Sequence, residues 1–294
     1  MHLTARSLLP ALFVVALAAA TGCAPQETPS SADTSSTGAA ASAQSCDKAA
    51  LATQAKGKLT VGTDKPAYAP WFQDDDPASG KGFESAVAYS VAKALGYEKD
   101  QVVWQTVPFN NSFAPGAKNF DFDINQVSIS DERKQAVDFS SGYYEVRQAV
   151  VALKDSPYAE AATGADLKGA KLGAQVGTTS LDTINEIIKP TQKPAVFQKN
   201  DFAKSALRNG QVDAIVVDLP TAFYITSAEV PDAKVVGQFA DSAGAAEQFG
   251  LVLDKGSALT SCVTRAVDGL RRDGTLAALE KQWLSDAVNA PVLK

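Results

Sequence analysis

Between residues 58 and 283, segments with the residue pattern of β-strands alternate with segments that have the periodicity of α-helices. Gln148–Leu153 has the apolar, β-branched character of a buried strand, whereas Phe83–Gly96 spaces its apolar residues as a helix does and stops at a glycine. Strands that alternate with helices usually form parallel βαβ units. The sequence therefore predicts an α/β fold, with enough chain for one large or two medium-sized domains.

The first 22 residues have the features of an export signal. Arg6 supplies a positive charge, and Leu8–Ala20 is an apolar run of 13 residues, which is shorter than the ~20 residues that cross a bilayer as a helix. The small residues Ala-Thr-Gly then precede Cys23, as at the cleavage site of bacterial lipoproteins. We expect cleavage before Cys23 and lipid attachment to it; the alternative is an ordinary secretory signal followed by a chance cysteine.

The segment 24–45 consists mainly of Ser, Thr, Ala and Pro, and it has no large apolar residue. Such a composition cannot bury enough surface to offset the entropy of ordering, so we expect a flexible tether between the lipidated cysteine and a folded body that begins at Cys46. An exported protein meets an oxidising compartment. Cys46 and Cys262 are the remaining cysteines and are predicted to form a disulfide; two separate thiols are the alternative.

Charge and histidine content exclude several classes of function. The formal net charge is −6, which makes the chain a poor partner for nucleic acid or an anionic membrane surface. The only histidine, His2, lies in the predicted signal. A Ser-His-Asp triad, a Cys-His dyad and an imidazole-based zinc site are therefore not expected in the exported protein. We expect no metal and no cofactor.

Short motifs between residues 58 and 285 occur in the order seen in one protein family. They are Val61-Gly62-Thr63-Asp64, Gly82-Phe83-Glu84, Ser128-Ile129-Ser130-Asp131-Glu132-Arg133, Ala136-Val137-Asp138-Phe139-Ser140, Tyr143-Tyr144, Asp166-Leu167-Lys168-Gly169, Gly177-Thr178-Thr179, Gly210-Gln211-Val212-Asp213-Ala214, Asp273-Gly274-Thr275 and Trp283. In these motifs the chain resembles the polar amino-acid solute-binding proteins (family 3 type) of ABC importers.

The resemblance implies a periplasmic-binding-protein fold of the type II kind. Two α/β lobes would be joined by two crossing strands, with the ligand in the cleft between the lobes. The first lobe would comprise 46–146 plus 243–294, and the second 147–242. The crossings are expected near Tyr144–Val150 and Gln238–Gly250.

The same resemblance assigns residues to the ends of an amino-acid ligand. Arg133 would hold the carboxylate with its planar guanidinium. Asp218, at the end of a predicted strand Val212–Asp218, would hold the ammonium, at the sheet edge where ligands bind in open α/β folds. Thr178 and Thr179 would offer backbone N–H groups at a helix start. From the residues alone, Arg133 could instead be a solvated charge, Asp218 a turn residue and the threonines only a helix cap.

The remaining expected contacts surround the ligand side chain. Ser128 would supply a hydroxyl, and Gln126 would point the same way on a strand Asp121–Ile129. The Phe109 ring would cover the side chain, with core packing as its alternative. Residues in and near a proline-rich loop complete the expected site: Asp64, Tyr68 and Trp71. The two aromatic residues would form a wall or pack within the loop, and Asp64 would favour a polar or cationic side chain or cap the loop.

The expected function is capture of a free amino acid outside the cytoplasm and its delivery to the transmembrane subunits of an ABC permease. The protein would be a monomer, attached to the membrane only through its lipid. Two alternatives share this fold: an enzyme similar to cyclohexadienyl dehydratase, and a ligand-sensing module. An enzyme would need Asp or Glu as its acid or base, since histidine is absent from the body. We expect a binding protein rather than an enzyme.

Overall fold

The computed structural model describes residues 45–240, 246–284 and 290–294. These residues belong to one compact unit, Ala43–Lys294. The predicted export signal, the lipid site Cys23 and the tether up to residue 44 lie outside the described residues. Within the described ranges, every helix is too short or too polar to cross a membrane.

The described unit contains two β-sheets with helices packed around them. The strands are β1 Leu59–Thr63, β2 Val102–Thr106, β3 Phe122–Asp123, β4 Val137–Val146, β5 Gln148–Leu153, β6 Leu172–Gln175, β7 Ala195–Phe197, β8 Ala214–Asp218, β9 Ala233–Phe239, β10 Glu247–Asp254 and β11 Val292–Leu293. The α-helices are α1 Phe83–Ala94, α2 Phe109–Ser112, α3 Arg133–Ala136, α4 Thr179–Asp182, α5 Asn200–Arg208, α6 Leu219–Tyr224, α7 Thr260–Arg272 and α8 Thr275–Trp283. Two π-helical segments, Thr183–Ile188 and Ile225–Glu229, extend α4 and α6.

The first sheet has the strand order β2-β1-β3-β10-β4, and the second has the order β11-β9-β5-β8-β6-β7. In the first sheet β1 is parallel to β2 and β3, and in the second β6 is parallel to β7 and β8. Each sheet also has antiparallel pairs, formed by β10 in the first and β5 in the second. The predicted two-lobed α/β fold is thereby confirmed. We call each sheet with its packed helices a lobe.

The chain passes between the lobes three times, the third time after α8, since β11 pairs with β9 in the second sheet. Only Arg147 separates β4 of the first sheet from β5 of the second, and the return runs from β9 to β10. The last strand of the chain corrects the predicted lobe boundaries: Val292 and Leu293 pair with Gln238 and Phe239 in the second sheet. The predicted extension of the first lobe to residue 294 is therefore wrong for this end of the chain, which belongs to the second lobe.

Packing follows from the sequence pattern of the strands. Neighbouring residues of a strand face opposite sides of its sheet. In β5, Val150 packs into one hydrophobic cluster of the second lobe and Val151 into the other, so both faces of this sheet are covered. The first lobe has a core rich in aromatic residues, among them Phe83 and Phe249, both fully buried.

The predicted strand Asp121–Ile129 is wrong for most of its length. Regular pairing is confined to Phe122–Asp123, and Ser128 forms only an isolated bridge with Phe249 of β10. Gln126 adopts a left-handed backbone conformation with φ of 50°, which ends the extended chain. Apolar residues still recur past the strand because Ile124 and Val127 pack into hydrophobic clusters of the first lobe although the backbone there is no longer paired.

The predicted disulfide is present between Cys46 and Cys262, whose Cα atoms are 5.4 Å apart. Cys262 lies on α7 and is buried in the first-lobe core. The bridge therefore fastens the start of the folded body to one of its last helices.

Candidate functional site

A cavity of about 40 Å³ lies between the two lobes. It is lined by Asp64, Tyr68, Phe109, Asn125, Gln126, Ser128, Arg133, Gln175, Thr178, Thr179, Asn200 and Asp218. Several of these residues lie at or just after the carboxyl ends of parallel strands, where ligands commonly bind in α/β folds. The lobes are closed on each other, because hydrogen bonds such as that from Arg133 to the backbone oxygen of Gly177 join them beside the cavity.

Nine of the ten residues predicted to form a binding site line this cavity, and Trp71 does not. The Trp71 ring is fully buried and makes edge-on contacts with Phe83, Tyr144 and Phe249. Its Nε1 donates a hydrogen bond of 2.9 Å to Oγ1 of Thr221 on α6. The predicted aromatic wall is thus wrong for Trp71, because this large apolar ring is buried in the core and its polar atom contacts the other lobe.

Arg133 begins α3 and is held by both lobes. One terminal nitrogen donates to the backbone oxygen of Ser128 at 2.7 Å, and the other donates to the backbone oxygen of Gly177 at 2.8 Å. The guanidinium carbon also lies 4.3 Å from the ring centre of Phe113. Burial lowers the pKa of Arg133, while the nearby carboxylates, first that of Asp182, favour its charged form. An arginine stays protonated under these conditions, so it brings a fixed positive charge to the cavity.

Gly177 has to be a glycine for this arrangement. Its φ is +75°, and a Cβ atom there would lie 2.1 Å from Oδ1 of Asn110 on the first lobe. A larger residue would therefore adopt a strained backbone conformation and displace the Asn110 side chain next to the site where Arg133 contacts Gly177.

Hydroxyl groups from the two lobes meet at one carboxylate oxygen. Oγ of Ser128 donates to Oε1 of Glu247 at 2.5 Å, and Oγ1 of Thr179 donates to the same oxygen at 2.6 Å. Thr178 caps α4, since its Oγ1 accepts a hydrogen bond of 3.3 Å from the backbone N–H of Leu181. Thr178 thus has the capping role named as its alternative and also lines the cavity. Glu247 was not among the predicted residues.

Asp218 ends β8, and its Oδ1 accepts a hydrogen bond of 2.8 Å from Nε2 of Gln148. The pKa of Asp218 is raised to about 8, mainly by burial and secondly by the negative charge of Glu247. The charge of Glu84 acts in the same direction, whereas Gln148 and Arg133 lower the pKa. In this closed cleft Asp218 is therefore mostly protonated at neutral pH.

Gln126 reaches the cavity for a reason other than the predicted strand geometry. Its backbone N–H donates to Oε1 of Glu84 at 2.7 Å, and its side-chain amide donates to the other oxygen of Glu84. Glu84 lies at the start of α1, is fully buried and also accepts a hydrogen bond from the hydroxyl of Tyr143. Burial raises the pKa of Glu84 to about 7, against the opposing effect of these donors.

The other end of the cavity is polar. Asp64 accepts hydrogen bonds from the backbone N–H groups of Lys65, at 2.6 Å, and Phe109, at 3.3 Å, so it caps the local chain as well as lining the cavity. Nδ2 of Asn125 and the hydroxyl of Tyr68 are buried without a hydrogen-bond partner among the described residues. This end therefore presents an acceptor, Asp64, beside unpaired polar groups.

Sequence reasoning missed Asn125, Gln175 and Asn200 as well as Glu247. Gln175 ends β6 and Asn200 begins α5 soon after β7. The rule that located Asp218, proximity to the carboxyl end of a parallel strand, could have found both. Asn125 and Glu247 carry no such signal, because neither directly follows a parallel strand that the sequence pattern predicts.

Comparisons with known proteins agree with this geometry. The model of the family described as bacterial extracellular solute-binding proteins, family 3, matches residues 59–286. An L-cystine-binding protein of Escherichia coli K12 is 32% identical over 78% of this chain and 83% of its own length. A probable histidine-binding protein of Campylobacter jejuni is 31% identical over 76% of this chain and 84% of its own.

Solved structures give the same result. An ancestral arginine-binding protein bound to arginine superposes with a TM-score of 0.65 and is 30% identical, over 77% of this chain and 98% of that one. An ancestral amino acid-binding protein described as a precursor of cyclohexadienyl dehydratase has a TM-score of 0.64 at 29% identity, over 78% of this chain and 95% of its own. With its two closed lobes, its interlobe cavity and a family match over most of its length, this chain belongs to the bacterial extracellular solute-binding proteins of family 3.

Proposed function

We propose that the protein captures one free L-amino acid between its lobes and delivers it to an ABC permease. The observation that carries this proposal is that a fixed cation, Arg133, and a carboxyl group, Asp218, line the same small interlobe cavity. An amino acid presents the complementary pair, a carboxylate and an ammonium. The relatives named above, which bind amino acids, support the same function.

In this proposal, Arg133 binds the ligand carboxylate. Two nitrogens of the guanidinium donate to the backbone oxygens of Ser128 and Gly177. A guanidinium has five N–H donors, so Arg133 also has donors for a carboxylate in the cavity that it lines. The threonines at the start of α4 add donors, since the first N–H groups of a helix have no partner within the helix. Asp218 binds the ammonium.

The ligand side chain extends toward Asp64 in this proposal. The Asp64 carboxylate and the unpaired groups of Asn125 and Tyr68 favour a polar or cationic side chain. A thermal-shift panel of the common amino acids tests this. One or a few polar or cationic L-amino acids should raise the unfolding temperature, because a ligand at about 100 times its Kd adds about 2.7 kcal/mol of stability. D-enantiomers serve as controls, and a panel without any shift would contradict the proposal.

An enzyme of the same fold is the second candidate. It is favoured by the raised pKa of Asp218, about 8, because this carboxyl group lines the cavity and its pKa suits a general acid or base. We propose that the protein is a binder and not an enzyme. Mass analysis of ligand recovered after long incubation distinguishes the two: a binder returns the amino acid unchanged, and an enzyme returns a product.

Binding of the ammonium should depend on pH through Asp218. Its pKa of about 8 in the ligand-free cleft means that the ligand must displace a proton at lower pH. Affinity should therefore rise by up to about tenfold per pH unit between about pH 6 and pH 8, and level off above. Titration calorimetry across this range measures it. Asp218→Asn should lose this dependence together with most of the affinity; an affinity that rises as the pH falls would contradict the assignment.

We further propose that the protein works as a monomer outside the cytoplasm, anchored by lipid on Cys23. The small residues before Cys23 and the polar segment after it support this anchor. Cys23→Ala should move the protein from the membrane fraction to the soluble fraction. A variant that stays with the membrane, or a mature N-terminus without acyl chains in mass analysis, would rule out the anchor.

A further inference from the structure

Glu247 occupies a special position in the chain. It is the first residue of β10, the strand on which the chain returns from the second lobe, and it lies opposite Val146 at the end of β4. Arg147 follows Val146 and leads directly into β5 of the second lobe. Glu247 therefore stands where the first two crossings between the lobes run side by side.

The Glu247 carboxylate contacts both lobes at once. Its Oε1 accepts hydrogen bonds from Ser128 of the first lobe, at 2.5 Å, and from Thr179 of the second lobe, at 2.6 Å. Its Oε2 accepts a third bond, of 3.2 Å, from Nε2 of Gln148 on β5. A single oxygen can accept from both hydroxyls only while the lobes are closed, so opening the cleft breaks at least one charge-assisted hydrogen bond.

Glu247 also lies next to the proposed ammonium site. The nitrogen of Gln148 that donates to Glu247 donates to Asp218 as well, at 2.8 Å. The two carboxyl groups therefore share one donor, and the negative charge of Glu247 raises the pKa of Asp218. Other titratable groups that interact with this pair are Arg133, Glu84, Asp182 and Tyr144.

We propose that Glu247 is a positioning residue that links lobe closure to ligand capture, by joining the Ser128 and Thr179 hydroxyls across the closed cleft beside Asp218. It does not contact the ligand. It stabilises the closed form, in which the ligand is held, and it sets the electrostatic environment of Asp218. This inference rests on the proposed function, since it needs a ligand that the closed form retains.

The first test is the affinity of Glu247→Ala for each amino acid that the parent protein binds. Loss of the closing contacts should weaken all of them by a similar factor of about ten or more, which corresponds to about 1.4 kcal/mol. The order of preference among ligands should stay the same. The loss should appear as faster dissociation with an unchanged association rate constant, measured by stopped-flow tryptophan fluorescence, since opening of the cleft precedes release.

Glu247→Gln provides a second variant that keeps the shape and an acceptor oxygen but removes the charge. It should weaken binding less than alanine does. Because a negative neighbour of Asp218 is gone, the pH at which affinity levels off should move to a lower value, an effect that a purely structural role would not produce. Glu145→Gln is the matched control, since Glu145 is exposed on the adjacent strand β4 and does not line the cavity; its affinities and pH profile should equal those of the parent.

Failure of this inference and failure of the proposed function give different results. If the parent protein binds no amino acid, the proposed function is wrong. If the parent binds but Glu247→Ala binds as tightly or more tightly, or if only one amino acid is affected, Glu247 is not a closing residue. An unchanged pH profile in Glu247→Gln would equally overturn its influence on Asp218.

Discussion

Arg133→Ala is expected to abolish useful amino-acid binding while the protein stays folded. Removing one member of a buried charge pair typically costs about 2–5 kcal/mol, since the partner is left buried and unpaired. This corresponds to a loss of affinity between about thirtyfold and several thousandfold. Arg133 also bridges Ser128 and Gly177 across the cleft, so its loss removes both a ligand contact and a closing contact. Calorimetric titration of the variant measures the loss.

Two further variants show whether this loss is specific. Arg133→Lys keeps the charge but not the planar fork, and it should recover only part of the affinity. Arg272→Ala removes an exposed arginine at the end of α7 that does not line the cavity, and this variant should bind like the parent. Circular dichroism should show the parent fold in all three proteins. If Arg133→Ala bound the amino acid as tightly as the parent, the carboxylate assignment would fail.

Loss of the Cys46–Cys262 disulfide should produce the largest change in stability. The bridge spans a sequence separation of 216 residues. In the chain-entropy model a closed loop of this length stabilises the folded state by about 5 kcal/mol, mainly by restricting the unfolded chain. Cys46→Ala should therefore lower the free energy of unfolding by up to this amount, measured by urea denaturation.

Cys46→Ala is preferred over replacement of Cys262, because Cys46 is only partly buried and its loss leaves the core packing of α7 intact. The parent protein treated with a reductant should show the same drop in its denaturation midpoint. Thiol labelling of the denatured, unreduced protein should leave both cysteines unlabelled. Equal stability of parent and variant would show that the bridge does not form in solution.

The parts of the fold that the sequence could predict are those that local pattern determines. The strand Gln148–Leu153 was predicted with its observed bounds, because buried β-branched residues on a sheet covered on both faces leave a clear signal. The helix that begins at Phe83 was equally visible from its apolar spacing. The convergence of Arg133 and Asp218 on one cavity was expected from the family resemblance, and for Asp218 also from the rule that ligands bind at the carboxyl ends of parallel strands.

Other features depend on contacts between distant parts of the chain. From the sequence, Trp71 could face a ligand or pack in the core. It packs in the core because its ring contacts Tyr144 and Phe249, which lie far away in the sequence. The left-handed backbone of Gln126 coincides with a break in the alternation, two polar residues between Ile124 and Val127, but such a pair is too common to predict a positive φ. Glu247 contacts both lobes only because the second crossing passes beside the first. The strand Val292–Leu293 has only two residues, too few for a periodic pattern in the sequence.

Isothermal titration calorimetry of the purified protein with the amino acid selected by the thermal-shift panel is the most direct test of amino-acid capture. Saturable binding with one ligand per chain is expected, together with proton release below about pH 8 as the ammonium displaces the Asp218 proton. The absence of saturable heat with every common amino acid, in a protein whose folding is verified by circular dichroism, would contradict the proposed function.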